Sequence, residues 1–307
     1  AVEVADPGPG EVLVRQRAVG LNFVDTYFRS GLYPTRLPSG LGTESAGVVE
    51  AVGDDVDDLA VGDRVARATG PLGACSELEV VPAGVLVPVP DSIDDRTAAA
   101  VLLKGLTVQY LIRQIHPVGP GTVLLGHAAA GGVGLILGQW AKALGATVIG
   151  TASTPAKREL ALANGYDHVI AYRDPGVDVA AEVRRLTDGR GVDVVYDGVG
   201  ADTFEASLDS LRPRGLLVTY GNASGAVPPV APAVLAQKGS LFLTRPVLAG
   251  YADTPRRLRS MADDLFAAVT AGQVSLTIGQ TFPLADVRRA HEALEAGETT
   301  GSTVLLP

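Results

Sequence analysis

The sequence predicts an α/β protein in two parts, a β-rich region followed by a doubly wound parallel sheet with helices on both faces. Three observations predict it. Up to about residue 108, short apolar runs are broken repeatedly by Gly, Pro and Asp, the punctuation of strands joined by turns. From 109 to 245, strand-length and helix-length patterns alternate, as a parallel sheet with crossover helices requires. The remainder, 246–307, is too short to build a good core by itself and is expected to return to the first region. The expected domains are therefore 1–108 with 246–307, and 109–245.

In the β-rich region, 11–17, 46–52 and 64–66 read as strands, and 85–90 closes the series. Ser92, with Asp95 three positions later, can cap a helix that continues through 98–103. The alternating region starts with a buried strand at 122–125 and a helix over 133–144 that Gly145 ends. Strands follow at 147–150, 168–171, 192–196, 216–220 and 240–244, separated by helices over 155–163, 177–187 and 201–211. A long helix over 254–271 and a strand over 301–306 complete the pattern.

Composition narrows the function. The chain has 307 residues, 47% hydrophobic and 19% charged, enough for a sizeable core. A net charge of -9 opposes a nucleic-acid surface or an anionic membrane surface, because both need clustered Lys and Arg. No stretch reaches the roughly 20 apolar residues of a membrane span. The opening residues Ala1 to Asp6 lack the features of a signal peptide. The single cysteine, Cys75, forms no internal disulfide and suits a cytoplasmic location. His116, His127, His168 and His291 are scattered without metal-ligand spacing, so no metal site is expected. No G-x-S-x-G elbow supports a serine nucleophile.

The most informative stretch follows the first strand of the alternating region. Gly126-His127-Ala128-Ala129-Ala130-Gly131-Gly132-Val133-Gly134 leads into a helix, so small residues let the backbone approach a pyrophosphate. Free amides and the helix dipole then stabilise its charge. An NAD site usually places an acid roughly twenty residues further on, against the ribose hydroxyls. Here the second strand runs into Thr151-Ala152-Ser153-Thr154, with no acid. Ser153 could donate to a 2′-phosphate and Lys157 could supply a cation, so the pattern favours NADPH over NADH.

Two further segments are rich in polar and aromatic residues. Asn22-Phe23-Val24-Asp25-Thr26-Tyr27 and Gly31-Leu32-Tyr33-Pro34 could flank a planar substrate and hydrogen-bond its carbonyl. The plainer alternative is a loop packing its own tyrosines. In Leu103-Lys104-Gly105-Leu106-Thr107, Thr107 could face the nicotinamide carboxamide, while Lys104 reads as a solvated lysine.

Together these segments, with Gly40-Leu41-Gly42-Thr43-Glu44, Val195-Tyr196-Asp197, Tyr220-Gly221-Asn222-Ala223-Ser224-Gly225 and Gln237-Lys238-Gly239-Ser240, carry a family likeness. The chain resembles the zinc-independent, zeta-crystallin-like NADPH:quinone oxidoreductases of the medium-chain dehydrogenase/reductase superfamily over nearly its whole length. The resemblance implies a GroES-like catalytic domain from both chain ends, a Rossmann NADPH-binding domain between them, and an active site in the cleft. It implies Asn22, Tyr27 and Tyr33 at the nicotinamide and substrate. It implies cofactor contacts at Asn22, Thr107, Ala130, Gly131, Gly132, Val133, Gly221, Asn222, Phe242 and Leu243. Ser153, Lys157 and Tyr172 match the group around the 2′-phosphate. It further implies a homodimer, with 240–244 as an edge strand at the interface.

Some features depart from the family pattern. A further β-hairpin usually precedes the Asp6-Pro7 segment, and some relatives carry arginine at Gly297. The Cys, His and Glu sets of zinc-dependent cousins are essentially absent. The expected chemistry is hydride transfer from NADPH to a quinone, with Tyr27, Tyr33 or Asn22 donating to the acceptor oxygen. Reduction of an enone C=C bond is the nearest alternative, and a cofactor-bound RNA-binding or crystallin-like protein is a more distant one.

Overall fold

The computed structural model describes residues 4–307; the expectation that Ala1 to Asp6 is not a signal peptide falls partly on residues 1–3, outside the described residues. The described chain divides into two compact units, one of Ala1–Thr107, Leu248–Gly272 and Leu276–Pro307, the other of Val108–Val247 and Gln273–Ser275.

The first unit is built on a seven-stranded sheet. Its strands are β1 (Glu11–Leu21), β2 (Glu44–Val52), β3 (Arg64–Arg67), β4 (Leu78–Pro82), β5 (Val87–Pro88), β12 (Ile278–Pro283) and β13 (Ser302–Leu306). They run in the order β12-β13-β1-β2-β3-β5, with β4 also on β1. Strand β1 is long because it serves three partners, pairing antiparallel with β2, β4 and β13. Its alternation puts Val12 and Val14 into a core with Val49, Leu59, Val65, Val81 and Leu86. The chain ends meet here, since Val19 lies opposite Leu305.

Helices α1 (Phe23–Ser30), α2 (Asp95–Gln109), α8 (Pro255–Thr270) and α9 (Val287–Glu295) complete the set. Two local expectations are corrected. Asn22 to Ser30 is not a loop: Asn22 N–H donates to Asp25 Oδ2 at 2.8 Å and Gly31 ends the helix in the left-handed region, φ 79°. Ser92 does not cap α2; Asp94 does, accepting from Thr97 N–H at 2.9 Å, while Ser92 Oγ lies 3.4 Å from Thr270 Oγ1.

The second unit is a six-stranded, wholly parallel sheet, in the order β11-β10-β9-β6-β7-β8. The strands are β6 (Val123–Gly126), β7 (Thr147–Ala152), β8 (His168–Ala171), β9 (Val192–Asp197), β10 (Leu211–Thr219) and β11 (Phe242–Thr244). Helices α3 (Gly132–Ala143), α4 (Pro155–Leu162), α5 (Val179–Leu186), α6 (Phe204–Ser210) and α7 (Pro232–Gln237) connect them. Every residue of β9 is buried, the mark of a central strand covered on both faces. The strand order reverses between β6 and β9, which makes the carboxyl ends of these two strands the place where such a sheet binds ligands.

Candidate functional site

In the second unit the turn after β6 has a shape set by its own backbone. Ala128 adopts φ 53°, a left-handed conformation costing roughly 1–2 kcal/mol for a residue with a Cβ. This turns the chain so that Ala128 O accepts Gly131 N–H at 2.9 Å. Gly131 is the N-cap of α3 and brings no side chain to its free amides. A Cβ on Gly134 would lie 2.4 Å from Ala128 O, so loop and helix touch only because this residue has none. Ala130, Gly131, Gly132 and Val133 thus sit together at the start of α3.

The ends of β7 and β8 bring a second group together. Ala152 is paired with Ala171, so Ser153 and Tyr172 follow on adjacent strands. Thr154 caps α4, accepting from Lys157 N–H at 3.2 Å, which places Lys157 in the first turn. Tyr172 is 40% exposed and carries Arg173 5.8 Å over its ring, a cation that sequence reasoning missed. A cavity of about 460 Å³ opens beside Tyr172, lined also by His127, Val177, Asp178, Thr203 and Ala206. Across the sheet, Gly221 packs against Gly198, where a Cβ would lie 2.2 Å from Gly198 O; Asn222 follows it. Phe242 and Leu243 lie on the edge strand β11, Phe242 being 61% exposed.

His127 is more than a packing residue. It is buried, its Nδ1 lies 3.1 Å from Thr151 Oγ1, and its Nε2 lies 3.0 Å from Ser207 Oγ. Ser207 donates to Asp197 Oδ2 at 2.7 Å, so it accepts from an Nε2–H imidazole. Burial lowers the His127 pKa, which agrees with a neutral ring. The serine stands between the acid and the histidine with its proton committed, so the trio ties strand ends together and supplies no nucleophile.

The first unit holds a buried polar network. Glu44 is fully buried; its Oε1 accepts Leu103 N–H at 2.7 Å, and its Oε2 accepts Asn22 Nδ2 at 2.7 Å and Lys104 Nζ at 3.0 Å. Lys104 is therefore not solvated: it is 5% exposed, and its charge offsets that of a carboxylate sixty residues away. Thr107 Oγ1 donates to Leu103 O at 2.8 Å, so its hydroxyl proton is used within α2. Tyr27 is 7% exposed, its ring 5.1 Å from that of Tyr33, whose N–H donates to Tyr27 O at 3.0 Å. The tyrosines do pack on each other, Tyr27 from helix α1 and Tyr33 from the loop that follows Gly31.

Asp25 accepts from Asn22 N–H at 2.8 Å and Thr43 Oγ1 at 2.9 Å. Burial outweighs these bonds and pushes its carboxyl up to about 6. With the folded value above the unfolded one, its contribution is fully present below pH ~4 and is lost as pH rises through about 6. The shift corresponds to about 3 kcal/mol. Urea unfolding between pH 4 and 7 is expected to show this loss in the native chain and a flatter profile in Asp25→Asn. Parallel profiles would contradict it.

Comparison with known proteins places this geometry. Residues 8–91 match the alcohol dehydrogenase GroES-like domain and residues 132–259 the zinc-binding dehydrogenase model. A quinone oxidoreductase of Pseudomonas aeruginosa is 58% identical over 99% of this chain and 93% of its own length. The chain belongs to the quinone oxidoreductase family. The solved Escherichia coli quinone oxidoreductase complexed with NADPH is 48% identical and superimposes with a TM-score of 0.97, over 100% of this chain and 94% of that one. A 2-haloacrylate reductase from Burkholderia is 46% identical, over 100% of this chain and 93% of the relative.

The α/β class, with its GroES-like and Rossmann parts, is thus that of the quinone oxidoreductases. Among the described residues no three His, Cys, Asp or Glu side chains form a metal-holding group, and the buried carboxylate of Glu44 already faces the Lys104 ammonium. A dinucleotide does fit: the first residues of α3 after Gly131 present N–H groups that no carbonyl within the helix takes, and the absence of a Cβ on Gly134 lets the start of the helix lie close against the preceding turn.

Proposed function

We propose that this chain reduces quinones with NADPH, without a metal. NADPH, when bound, supplies a hydride from its nicotinamide ring. The amides around Ala130, Gly131, Gly132 and Val133 hold the pyrophosphate, and Ser153 and Lys157 hold the 2′-phosphate, with Tyr172 beside them. Gly221, Asn222, Phe242, Leu243 and Thr107 complete the cofactor contacts. The observation that carries this reading is the β7–β8 edge. Ser153 follows β7 and Tyr172 follows the neighbouring β8, Lys157 stands in the first turn of α4, Thr151 to Thr154 contain no acid, and the solved quinone oxidoreductase to which this chain is 48% identical is complexed with NADPH.

On the acceptor side, Tyr27 and Tyr33 are the donors we assign to the quinone oxygen as negative charge develops there. Asn22 is not, because its amide hydrogens point at Glu44 and Gly20 O. We assign residues 1–108 and 246–307 to the acceptor side and 109–245 to the cofactor. A cytoplasmic homodimer is part of the same reading, supported by the free thiol of Cys75 and the exposed Phe242 on edge strand β11. Among the described residues no helix is long and apolar enough to cross a membrane.

The test is NADPH oxidation with and without a benzoquinone, repeated with NADH. Quinone-stimulated oxidation is expected, with NADPH preferred. In Lys157→Ala the NADPH KM is expected to rise about 10–100-fold, the loss of one charge-assisted contact of roughly 1.5–3 kcal/mol, with little change for NADH. Tight NADPH binding with no quinone-stimulated rate would overturn the acceptor assignment. The Burkholderia relative supports a second reading, reduction of an activated C=C bond. An acceptor panel pairing quinones with 2-haloacrylates and enones separates the two.

A further inference from the structure

The buried network of the first unit decides which end of the Asn22 carboxamide is available to a ligand. Three donors surround the Glu44 carboxylate, one of them the Lys104 ammonium, so Glu44 is an acceptor only. Asn22 must therefore turn its nitrogen toward Glu44 Oε2, and the same nitrogen lies 3.3 Å from Gly20 O. With both amide hydrogens committed, Asn22 has only acceptor capacity left. The space for the carboxylate is built into the strand: a Cβ on Gly20 would lie 2.3 Å from Glu44 Oε2. One other carboxyl bears on the cluster, Asp25 in α1, while Glu79 on β4 is paired with Arg67 of β3. Neither Asp25 nor the Arg67–Glu79 pair hydrogen-bonds the Glu44 carboxylate, whose cation is Lys104.

We propose that Glu44 and Lys104 are positioning residues that hold Asn22 as a hydrogen-bond acceptor for a neutral donor on the nicotinamide riboside half of NADPH. That donor is a ribose hydroxyl or the carboxamide NH₂. The inference rests on the reading that Asn22 faces the cofactor, and it removes Asn22 from stabilising the reduced acceptor. In Glu44→Gln the near-isosteric amide offers N–H as well as C=O, so Asn22 is free to turn over and present hydrogens to a group that also presents hydrogens. In Lys104→Met the carboxylate loses its cation, and the orientation of Asn22 loses its anchor.

The experiment measures equilibrium binding of NADPH and of adenosine 2′,5′-bisphosphate, a probe lacking the nicotinamide half. It compares the native chain with Glu44→Gln, Lys104→Met, Lys104→Arg and Asn22→Ala. Glu44→Gln and Lys104→Met are expected to raise the NADPH Kd about tenfold while leaving bisphosphate binding unchanged, and Lys104→Arg to recover most of the loss. If either variant folds poorly, the other gives the same comparison. Equal losses for both ligands would make the pair merely structural and overturn the proposal. So would unchanged NADPH affinity in Glu44→Gln and Lys104→Met alongside a loss in Asn22→Ala. Unchanged NADPH affinity in Asn22→Ala would instead sink the underlying reading of Asn22, and the proposal with it.

Discussion

Gly134→Ala is expected to weaken NADPH binding at least 100-fold. The added Cβ would lie 2.4 Å from Ala128 O, 2.7 Å from Ala129 O and 2.8 Å from Ala129 C, all backbone atoms that cannot rotate aside. The glycine cannot retreat easily either, because Tyr166, buried behind it, donates its hydroxyl to Gly134 O at 2.8 Å. The start of α3 must therefore part from the 128–131 turn, and the amides that should converge on a pyrophosphate separate. A misplacement on the order of 1 Å is costly where charge is held by several aligned donors. A 100-fold loss corresponds to about 2.7 kcal/mol of binding. Overpacking would further lower stability by roughly 1–3 kcal/mol. Gly131→Ala is the control for stability, since its Cβ would meet only Ala128 O, at 3.2 Å, and its melting temperature should stay near the native one. Titration of NADPH fluorescence and thermal melts of the three proteins decide the matter; equal behaviour of the two variants would contradict it.

Arg67→Met is expected to destabilise the first unit by about 3–5 kcal/mol, a large part of the roughly 5–15 kcal/mol that holds a typical protein together. The Arg67 guanidinium is 1% exposed, and all three of its nitrogens donate hydrogen bonds. Its Nη2 and Nε grip Glu79 at 2.5 Å and 3.0 Å, and its Nη1 donates to Thr69 O at 3.1 Å and Pro71 O at 2.9 Å. Without it, a buried carboxylate is left with only the Gln16 amide, at 3.1 Å, and two loop carbonyls lose their partner. Glu79 already shows the strain, because burial pushes its pKa up in spite of Arg67. Arg67→Lys should recover little, for an ammonium cannot reproduce the fork. The double variant Arg67→Met/Glu79→Leu should recover much of the loss, since apolar residues can fill the volume of an ion pair without an unpaired charge. Urea unfolding of the four proteins measures this; a single variant within about 1 kcal/mol of native would refute it.

The parallel-sheet unit was largely legible in the sequence because its signals are local. A parallel strand covered on both faces is written as a largely apolar run, and Val192–Asp197, apolar but for Asp193 and Asp197, emerges as β9 within a residue of its expected span. The small-residue turn before α3 and the acid-free end of β7 are likewise readable from neighbours along the chain. Where local signals were present but passed over, they can be named. Asn22, Asp25 and Gly31 are spaced as the two ends of a short helix, and Asp94 was available as a cap one turn before the apolar run of α2. Strand β12 and helix α9 also went unread; β12 is a half-exposed partner of β13, with a weak apolar pattern.

The sequence by itself determined the fold class, the place of the small-residue turn before α3 and the reading of the cofactor as NADPH. These depend on periodicity, on glycine and on the presence or absence of charge within one βαβ unit. Only the tertiary structure decided that Lys104 is buried against Glu44, that Asn22 offers an oxygen rather than hydrogens, and that His127 is a neutral strut between Thr151 and Ser207. The physical reason is common to all three. A polar side chain's charge, orientation and tautomer are set by the partners that satisfy it once water is excluded, and here most of those partners lie 22 to 80 residues away.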